Sequence, residues 1–143
     1  MKTHLLIAFV VFAVPAWSQS NAQAGAAQAA GDVVSASGLI YRSMKEGSGA
    51  SPAATDKVKV HYRGMFPDGR EFDSSYARGQ PAEFLLNRVI KCWTEGVQQM
   101  KVGGKALLTC PPAIAYGARG AGRVIPPNAT LKFEIELLGI SRQ

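Results

Sequence analysis

Few residues of this chain of 143 are of the types that carry out covalent chemistry. His61 is the only histidine beyond residue 30, so neither a Ser-His-Asp triad nor a multi-histidine metal site can be assembled there. Gly117, Gly120 and Gly122 form a glycine-rich loop, but no Gly-Lys-Ser/Thr follows and no helix opens after it, which argues against a phosphate cradle. Any catalysis is therefore expected to need no nucleophile, no metal and no cofactor.

Three carboxylates lie close together in the sequence: Asp68, Glu71 and Asp73. Asp68 belongs to a turn, while Glu71 and Asp73 share one face of a strand. A glycosidase-like pair of carboxylates is therefore an alternative, but nothing else in the sequence supports it. His61 falls on the charged phase of a neighbouring strand and is interpreted as a solvated surface residue.

Aromatic residues are more numerous than a small core normally requires. Two of them carry hydroxyls, which need partners when buried, and Arg78 and Asp73 are candidates to supply one. A concave aromatic pocket with a few polar groups is how small ligands and proline rings are bound, although each ring alone could equally belong to the core. These residues are Tyr62, Phe72, Phe84, Trp93, Tyr116 and Phe133.

The charge balance is basic, with 16 Lys and Arg against 10 Asp and Glu for a formal charge of +6. The basic residues are scattered singly, and the densest cluster is the loose pair Arg119 and Arg123. This distribution argues against a dedicated nucleic-acid partner.

Residues 1–24 are typical of a secretory signal peptide, with cleavage after Ser18 or Ala24. The apolar run Leu5–Val14 is too short for a span of roughly 20 residues. An uncleaved membrane-anchoring helix is the alternative. The mature chain is expected to be exported, periplasmic or secreted, monomeric and without a membrane span. Residues 19–36 predict a flexible Ala/Gln/Gly-rich tether, and residues 37–143 the folded domain.

Cys92 and Cys110 are the only cysteines. In an exported protein an even count favours a disulfide, worth about 3 kcal/mol for a loop near this length, and two buried free thiols are the alternative. No Cys-x-x-Cys is present, so a redox enzyme is not indicated.

The elements that must position these residues follow from hydrophobic periodicity. Alternation predicts strands at Val58–Tyr62 and Leu131–Leu137, and further strands are expected at Leu39–Met44, Glu71–Ser74 and Lys105–Cys110. Helical spacing runs from Val89 or Ile90 through Trp93 and Val97 to Met100, ending before Gly103. The predicted class is α+β, antiparallel strands with one short helix, and the segment from Tyr116 to Asn128 is a long exposed loop.

Six segments, in order, resemble the FKBP-type peptidyl-prolyl cis-trans isomerases. They are Val60-His61-Tyr62-Arg63-Gly64, Gly69-Arg70-Glu71-Phe72-Asp73-Ser74-Ser75, Val89-Ile90-Lys91-Cys92-Trp93-Thr94-Glu95-Gly96, Ala115-Tyr116-Gly117, Ile125-Pro126-Pro127-Asn128-Ala129-Thr130-Leu131 and Phe133-Glu134-Ile135-Glu136-Leu137-Leu138. The resemblance implies a twisted antiparallel sheet wrapped around the helix. It also implies isomerisation of X-Pro bonds in unfolded or nascent exported polypeptides, and binding of rapamycin-class macrolides. A non-catalytic proline-binding module or holdase using the same pocket is the alternative.

The resemblance also implies roles for single residues. Trp93 would form the pocket floor, the hydroxyl of Tyr116 and the N–H of Ile90 would bind carbonyls, and Asp73, held by Tyr62 and Arg78, would lie beside the isomerising bond. The walls would be Tyr62, Phe72, Phe84, Val89, Ile90, Ile125 and Phe133.

The sequence departs from the family pattern at three places. Ala82 stands where a second aromatic often follows the proline at Pro81, the loop from Phe84 to Val89 is about two residues shorter, and Cys92 replaces a small residue beside the tryptophan. The first two changes bear on substrate preference.

Overall fold

The structure is a computed structural model that describes residues 31–142. Its seven strands form one antiparallel sheet in the order β1-β2-β6-β7-β3-β4, and β5 also pairs with β3. The strands are β1 (Asp32–Val34), β2 (Ile40–Lys45), β3 (Lys57–Met65), β4 (Glu71–Ser74), β5 (Ala82–Leu85), β6 (Lys105–Cys110) and β7 (Leu131–Ser141). With one main short helix, this confirms the predicted α+β class.

The five predicted strands are confirmed, and burial alternates along three of them, β3, β6 and β7. In β3 the side chains of Val58, Val60 and Tyr62 are buried, and every second residue of β7 from Leu131 to Leu137 is buried as well. Strands β1 and β5 were not predicted. They have three and four residues, too few to establish a period of two.

Strand β1 lies before the predicted domain boundary at residue 37. Residues 32–34, in the predicted tether, pair with residues 40–42 of β2, and the Asp32 carboxylate accepts a hydrogen bond from Arg42. Backbone pairing orders this segment although Val33 and Val34 remain exposed. The predicted signal peptide and most of the tether lie outside the described residues. Within residues 31–142 no helix is long and apolar enough to cross a membrane.

Two helices connect the sheet to the rest of the fold. Helix α1 (Ser75–Arg78) follows β4 directly, and the hydroxyl of Ser74 caps it by accepting a hydrogen bond from the N–H of Ala77. Helix α2 (Lys91–Val97) is shorter than predicted, since the chain turns after Val97 and the Met100 N–H donates to the Val97 carbonyl. Met100 is buried from that turn.

The edge of β3 that faces away from β7 pairs with two strands, and a gap in strand pairing lies between them. Strand β5 pairs with residues 57–60 and β4 with residues 63–65, so Tyr62 has no strand partner on that side. The buried hydroxyl of Ser75 fills the gap, accepting from the Tyr62 N–H at 2.7 Å and donating to its carbonyl at 3.3 Å. Tyr62 is therefore held in extended conformation by a side chain.

Helix α2 lies against β6 at two neighbouring points. Cys92 and Gly96 are one helical turn apart on one face of α2, and Leu108 and Cys110 share one face of β6. The cysteines form a disulfide with 5.7 Å between their Cα atoms, and both are fully buried. A Cβ at Gly96 would lie 2.6 Å from a methyl carbon of Leu108, so glycine is what permits this approach.

We predict that Gly96→Ala lowers the free energy of unfolding by about 1–3 kcal/mol, because the added methyl overlaps the fully buried Leu108 side chain. The better helix propensity of alanine offsets only about 1 kcal/mol of this. Urea unfolding of both proteins measures the difference. Gly139→Ala is the matched control, since a Cβ there meets nothing within 4 Å. Equal stability of Gly96→Ala and the parent chain would refute the close approach.

Candidate active site

Trp93 projects from α2 into the concave side of the sheet and is 4% exposed. Three aromatic rings stand nearly perpendicular to its indole: Tyr62 at 5.2 Å and 80°, Phe84 at 5.5 Å and 88°, and Phe133 at 5.4 Å and 86° between ring centroids and planes. The indole N–H is buried and donates to no acceptor among the described residues. Aromatic packing therefore holds Trp93 in place.

The three rings come from β3, β5 and β7, and a fourth ring extends the wall. Phe72 of β4 packs edge-on against Phe133 with centroids 5.7 Å apart, and Phe66 tilts against Phe72 from behind. Since each ring belongs to a different strand, the arrangement of rings around Trp93 depends on the register of the whole sheet.

The rings form one side of a cavity of about 360 Å³. This is the size of a pocket that takes a small ligand or a few residues of a peptide. The cavity is lined by Tyr62, Phe72, Asp73, Phe84, Arg88, Val89, Ile90, Trp93, Tyr116 and Phe133. Aromatic and aliphatic side chains dominate this lining, and it contains no Ser, Cys, Lys or His.

One corner of the cavity is polar. The Tyr62 hydroxyl donates to one Asp73 oxygen, and Arg78 donates to the other at 2.6 Å. Arg78 also donates to the Tyr62 hydroxyl oxygen at 3.0 Å and lies over the Tyr62 ring, 5.6 Å from its centroid. The carboxylate is thus bound on both oxygens by two groups that also bind each other.

The ionisation of Asp73 follows from these contacts. Burial raises the pKa of the carboxyl, but the hydrogen bonds from Tyr62 and Arg78 and the Arg78 charge outweigh burial and hold that pKa below its ordinary value. Asp73 is therefore ionised at neutral pH, with its charge offset by Arg78. Proton transfer is not a task that such a carboxylate performs well at that pH.

Tyr116 and Ile90 are 26 residues apart in the sequence but line the same cavity. Tyr116 is 40% exposed and precedes the 3₁₀ turn Gly117–Arg119. Burial, with the charge of Asp73, raises the pKa of its hydroxyl, which therefore stays protonated and able to donate. Ile90 precedes α2 with extended backbone, and its N–H forms no hydrogen bond within the described residues.

The structure brings together nine of the eleven residues expected at the pocket as direct lining. Arg78 does not line the cavity and instead holds Asp73 and Tyr62. Ile125, also expected in the wall, is 4% exposed, belongs to the buried hydrophobic cluster and is not among the residues that line this cavity, so its place in the wall stays a prediction. Arg88 lines the cavity and was not predicted, since a lone arginine between strand and helix has no periodic signal.

The other candidate groups do not assemble into a catalytic site. Asp68 pairs with Arg70 and Glu71 with Arg63, so neither joins Asp73 as a second cavity carboxylate. His61 was expected to be solvated but is half-buried, stacked on Tyr76 at 4.6 Å and hydrogen-bonded to Ser75.

Comparison with known proteins identifies the same region of the chain. Residues 49–138 match the family model of the FKBP-type peptidyl-prolyl cis-trans isomerase. The FKBP-type 22 kDa peptidyl-prolyl cis-trans isomerase of Escherichia coli is 57% identical over 104 residues, which are 73% of this chain and 50% of that protein. FK506-binding protein 1 of Dictyostelium discoideum is 55% identical over 103 residues, 71% of this chain and 96% of that protein.

A crystal structure of a peptidyl-prolyl cis-trans isomerase from Pseudomonas syringae has the same fold. It superposes with a TM-score of 0.74 and 41% identity, covering 83% of this chain and 87% of that one. The chain spans about half the length of the bacterial curated relatives that it matches.

We predict that Tyr62→Phe raises the pKa of Asp73, because a hydrogen bond that favours the carboxylate is lost while burial remains. The ionised carboxylate stabilises the fold above the ordinary value of 3.8, and this contribution is lost as pH falls through the lowered folded pKa. In the variant this contribution should be smaller, and its loss should be complete at a higher pH. Carboxyl NMR titration measures the pKa directly.

Tyr76→Phe is the matched control for this titration. Its hydroxyl donates to Glu136 and has no contact with Asp73, so the Asp73 titration should not move. A Tyr62→Phe protein whose Asp73 titrates as in the parent chain would contradict the hydrogen-bond assignment.

Proposed function

The chain belongs to the FKBP-type peptidyl-prolyl cis-trans isomerase family, and on that premise we propose that it accelerates rotation about X-Pro bonds in unfolded or nascent exported polypeptides. The observation that carries the proposal is the indole of Trp93 enclosed by three perpendicular rings beside a carboxylate whose charge is already offset. Such a cavity suits a neutral, apolar five-membered ring such as that of proline.

The chemistry of prolyl isomerisation needs no bond to be broken. Rotation about an amide costs about 18–20 kcal/mol because the planar form has C–N double-bond character. For X-Pro both isomers are populated, and their exchange takes tens to hundreds of seconds. Each 1.36 kcal/mol of differential stabilisation of the twisted form gives about tenfold in rate, so a few contacts suffice.

Desolvation is the main effect that we assign to the cavity. The planar amide is more dipolar than the twisted transition state, so water favours the planar form. The aromatic lining withdraws that solvation while it grips the proline ring. The absence of Ser, Cys, Lys and His from the described lining supports a mechanism with no covalent intermediate.

The polar groups have separate roles in this proposal. Trp93 forms the floor under the proline ring, and the aromatic and aliphatic lining residues form the walls. The Tyr116 hydroxyl and the Ile90 N–H donate to substrate carbonyls, because both donors are without partners in the described chain. Asp73 lies beside the rotating bond as a fixed negative charge, which Tyr62 and Arg78 orient.

The same cavity is proposed to bind rapamycin-class macrolides. The Dictyostelium relative is named for binding FK506, and the residues of this chain's cavity belong to the matched segment. Ala82 leaves one rim without an aromatic ring, so we expect a wider tolerance for side chains next to the proline. A non-catalytic binding module or holdase is the second candidate, and an activity assay separates the two.

We predict that the parent chain accelerates a proline-limited refolding reaction and that Trp93→Leu lowers kcat/KM by about tenfold or more, since the floor of the cavity is lost. Tyr41→Leu is the matched control: it removes a half-buried ring from β2, which contributes nothing to the cavity. Its kcat/KM should stay close to that of the parent chain. Full activity in Trp93→Leu would contradict the site.

A rapamycin-class macrolide should abolish the acceleration and quench the fluorescence of Trp93, the only tryptophan after residue 17. Quenching without any acceleration by the parent chain would favour the non-catalytic module. Acceleration that the macrolide leaves untouched would place catalysis outside this cavity.

We also propose that the domain works outside the cytoplasm, in the periplasm or the medium. The apolar run Leu5–Val14 followed by small-residue cleavage positions supports export, and the buried disulfide is a bond that persists in oxidising compartments. Its clients would then be other exported chains with X-Pro bonds.

We predict that the full chain, expressed in a Gram-negative host, is recovered from the periplasm or medium with a mature N-terminus at Gln19 or Gly25 and no alkylatable thiol. A chain starting at residue 25 should stay in the cytoplasm with both thiols reactive after denaturation. Mass spectrometry of the alkylated protein measures both the N-terminal residue and the number of reactive thiols. An intact N-terminus in the membrane fraction would favour the uncleaved anchor.

A further inference from the structure

The first turn of helix α2 depends on contacts from outside the helix. The helix has seven residues, fewer than the roughly 12 that an isolated helix needs to be even marginally stable in water. No side chain among the described residues caps its N-terminus. In the described part of the chain, the side-chain hydrogen bonds from this helix begin at its fourth residue, where the Thr94 hydroxyl donates to the Leu86 carbonyl at 2.6 Å. The first turn, which includes Trp93, is therefore held by packing and by the covalent bond from Cys92.

That covalent bond joins the first turn to an interior strand of the sheet. Cys110 is the last residue of β6, which pairs with β2 on one side and with β7 on the other. It lies opposite Leu131 of β7, and both residues are fully buried. Because backbone hydrogen bonds fix β6 between its neighbours, a change at the disulfide is expected to move the helix rather than the strand.

Trp93 follows Cys92 directly, and no hydrogen bond fixes its side chain. The indole N–H is buried and donates to no acceptor among the described residues. The three rings that stand around the indole belong to β3, β5 and β7, which are parts of the sheet. A shift of the first turn relative to the sheet therefore changes the distance between the floor of the cavity and its walls.

Reduction of the disulfide would produce such a shift without any change of sequence. Two thiol groups need more room than one disulfide, because their sulfur atoms are no longer bonded, and protein interiors are too closely packed to supply that room. Cys92 and Cys110 are both fully buried, so neither thiol reaches solvent without movement of the backbone. We expect the first turn of α2 to move away from β6 and to carry Trp93 with it.

From this arrangement we propose that Cys92 and Cys110 are positioning residues for Trp93, and that the folded dithiol form of the domain is a weaker isomerase than the disulfide form. The proposal rests on the isomerase function proposed above and adds its regulation: full activity requires a bond that persists in oxidising compartments. The bond forms by exchange with a disulfide of another molecule. The two cysteine thiols give up two protons and two electrons, and the other disulfide takes them and leaves as two thiols.

The test compares the disulfide and dithiol forms of the same full chain. The protein is unfolded in urea with a phosphine reductant, refolded with the reductant present, and compared with a sample treated identically without it. NMR exchange spectroscopy on a Leu-Pro tetrapeptide gives kcat and KM. We expect reduction to lower kcat/KM by about 3–10-fold and to raise KM, because the displaced floor binds the proline ring less well. Oxidised glutathione should restore the parent values.

The rise in KM distinguishes positioning from a loss of stability, since a smaller folded fraction lowers the apparent kcat alone. Nuclear Overhauser effects between the Trp93 indole and the rings of Tyr62, Phe84 and Phe133 measure the position directly. At least one of them should weaken in the dithiol form. A disulfide that only stabilises the fold would leave all three unchanged.

Two variants are the controls. Leu137→Ala removes a fully buried side chain of β7 that does not line the cavity, so it should lower stability while its folded form keeps the parent KM and the indole contacts. Cys110→Ala cannot form the disulfide, so the reductant should leave its kinetics unchanged. A response of Cys110→Ala to the reductant would assign the effect to the reagent and overturn the proposal.

The outcomes separate this inference from the isomerase proposal. Equal kcat/KM and equal indole contacts in the two forms overturn the positioning role and leave the isomerase standing. If the dithiol form does not refold in buffer, both forms are measured in trimethylamine N-oxide, which favours the folded state. A dithiol form that stays unfolded there also overturns the proposal, because the bond would then act through stability alone. A disulfide form without any turnover overturns the isomerase, and the indole contacts of the two forms then decide the inference.

Discussion

The close approach of α2 to β6 is the contact on which the site depends. Two contacts hold the helix against β6. Cys92 forms a disulfide with Cys110, and Gly96, which has no side chain, lies against Leu108. Trp93 follows Cys92, so its direction is set once the helix is anchored. A displacement of the helix would change the distance from the indole to all three of its ring neighbours, which belong to strands that move with the sheet.

The second constraint is the interrupted edge of β3. Between the part of β3 that pairs with β5 and the part that pairs with β4, the Ser75 hydroxyl forms the hydrogen bonds to the N–H and carbonyl of Tyr62. The chain can then leave the sheet through α1, whose last residue, Arg78, returns to bind Asp73 and Tyr62. The polar corner is thus a consequence of the gap, and it places a compensated carboxylate beside an apolar floor without leaving a buried charge unpaired.

Much of the fold was predictable because burial on one face of a strand leaves a period of two in the sequence. The same logic fails for β1 and β5, which are too short, and for Met100, which is buried from a turn beyond the helix. The aromatic set of the cavity was predictable from residue type and family resemblance. Arg88 was missed, because the border of a cavity is not encoded in local periodicity.

By itself the sequence determined which faces of the strands are apolar, that no triad or multi-histidine metal site can be built from a single histidine beyond residue 30, and that aromatic residues exceed the needs of a small core. Only the tertiary structure decided which rings meet Trp93, that Asp73 is bound on both oxygens, and that Arg88 lines the cavity. The physical reason is that alternation and composition indicate which residues are buried, and this tendency depends on residue type and on spacing to near neighbours in the chain. A site is a set of distances between residues far apart in the chain, and those distances exist only after the sheet has closed around the helix.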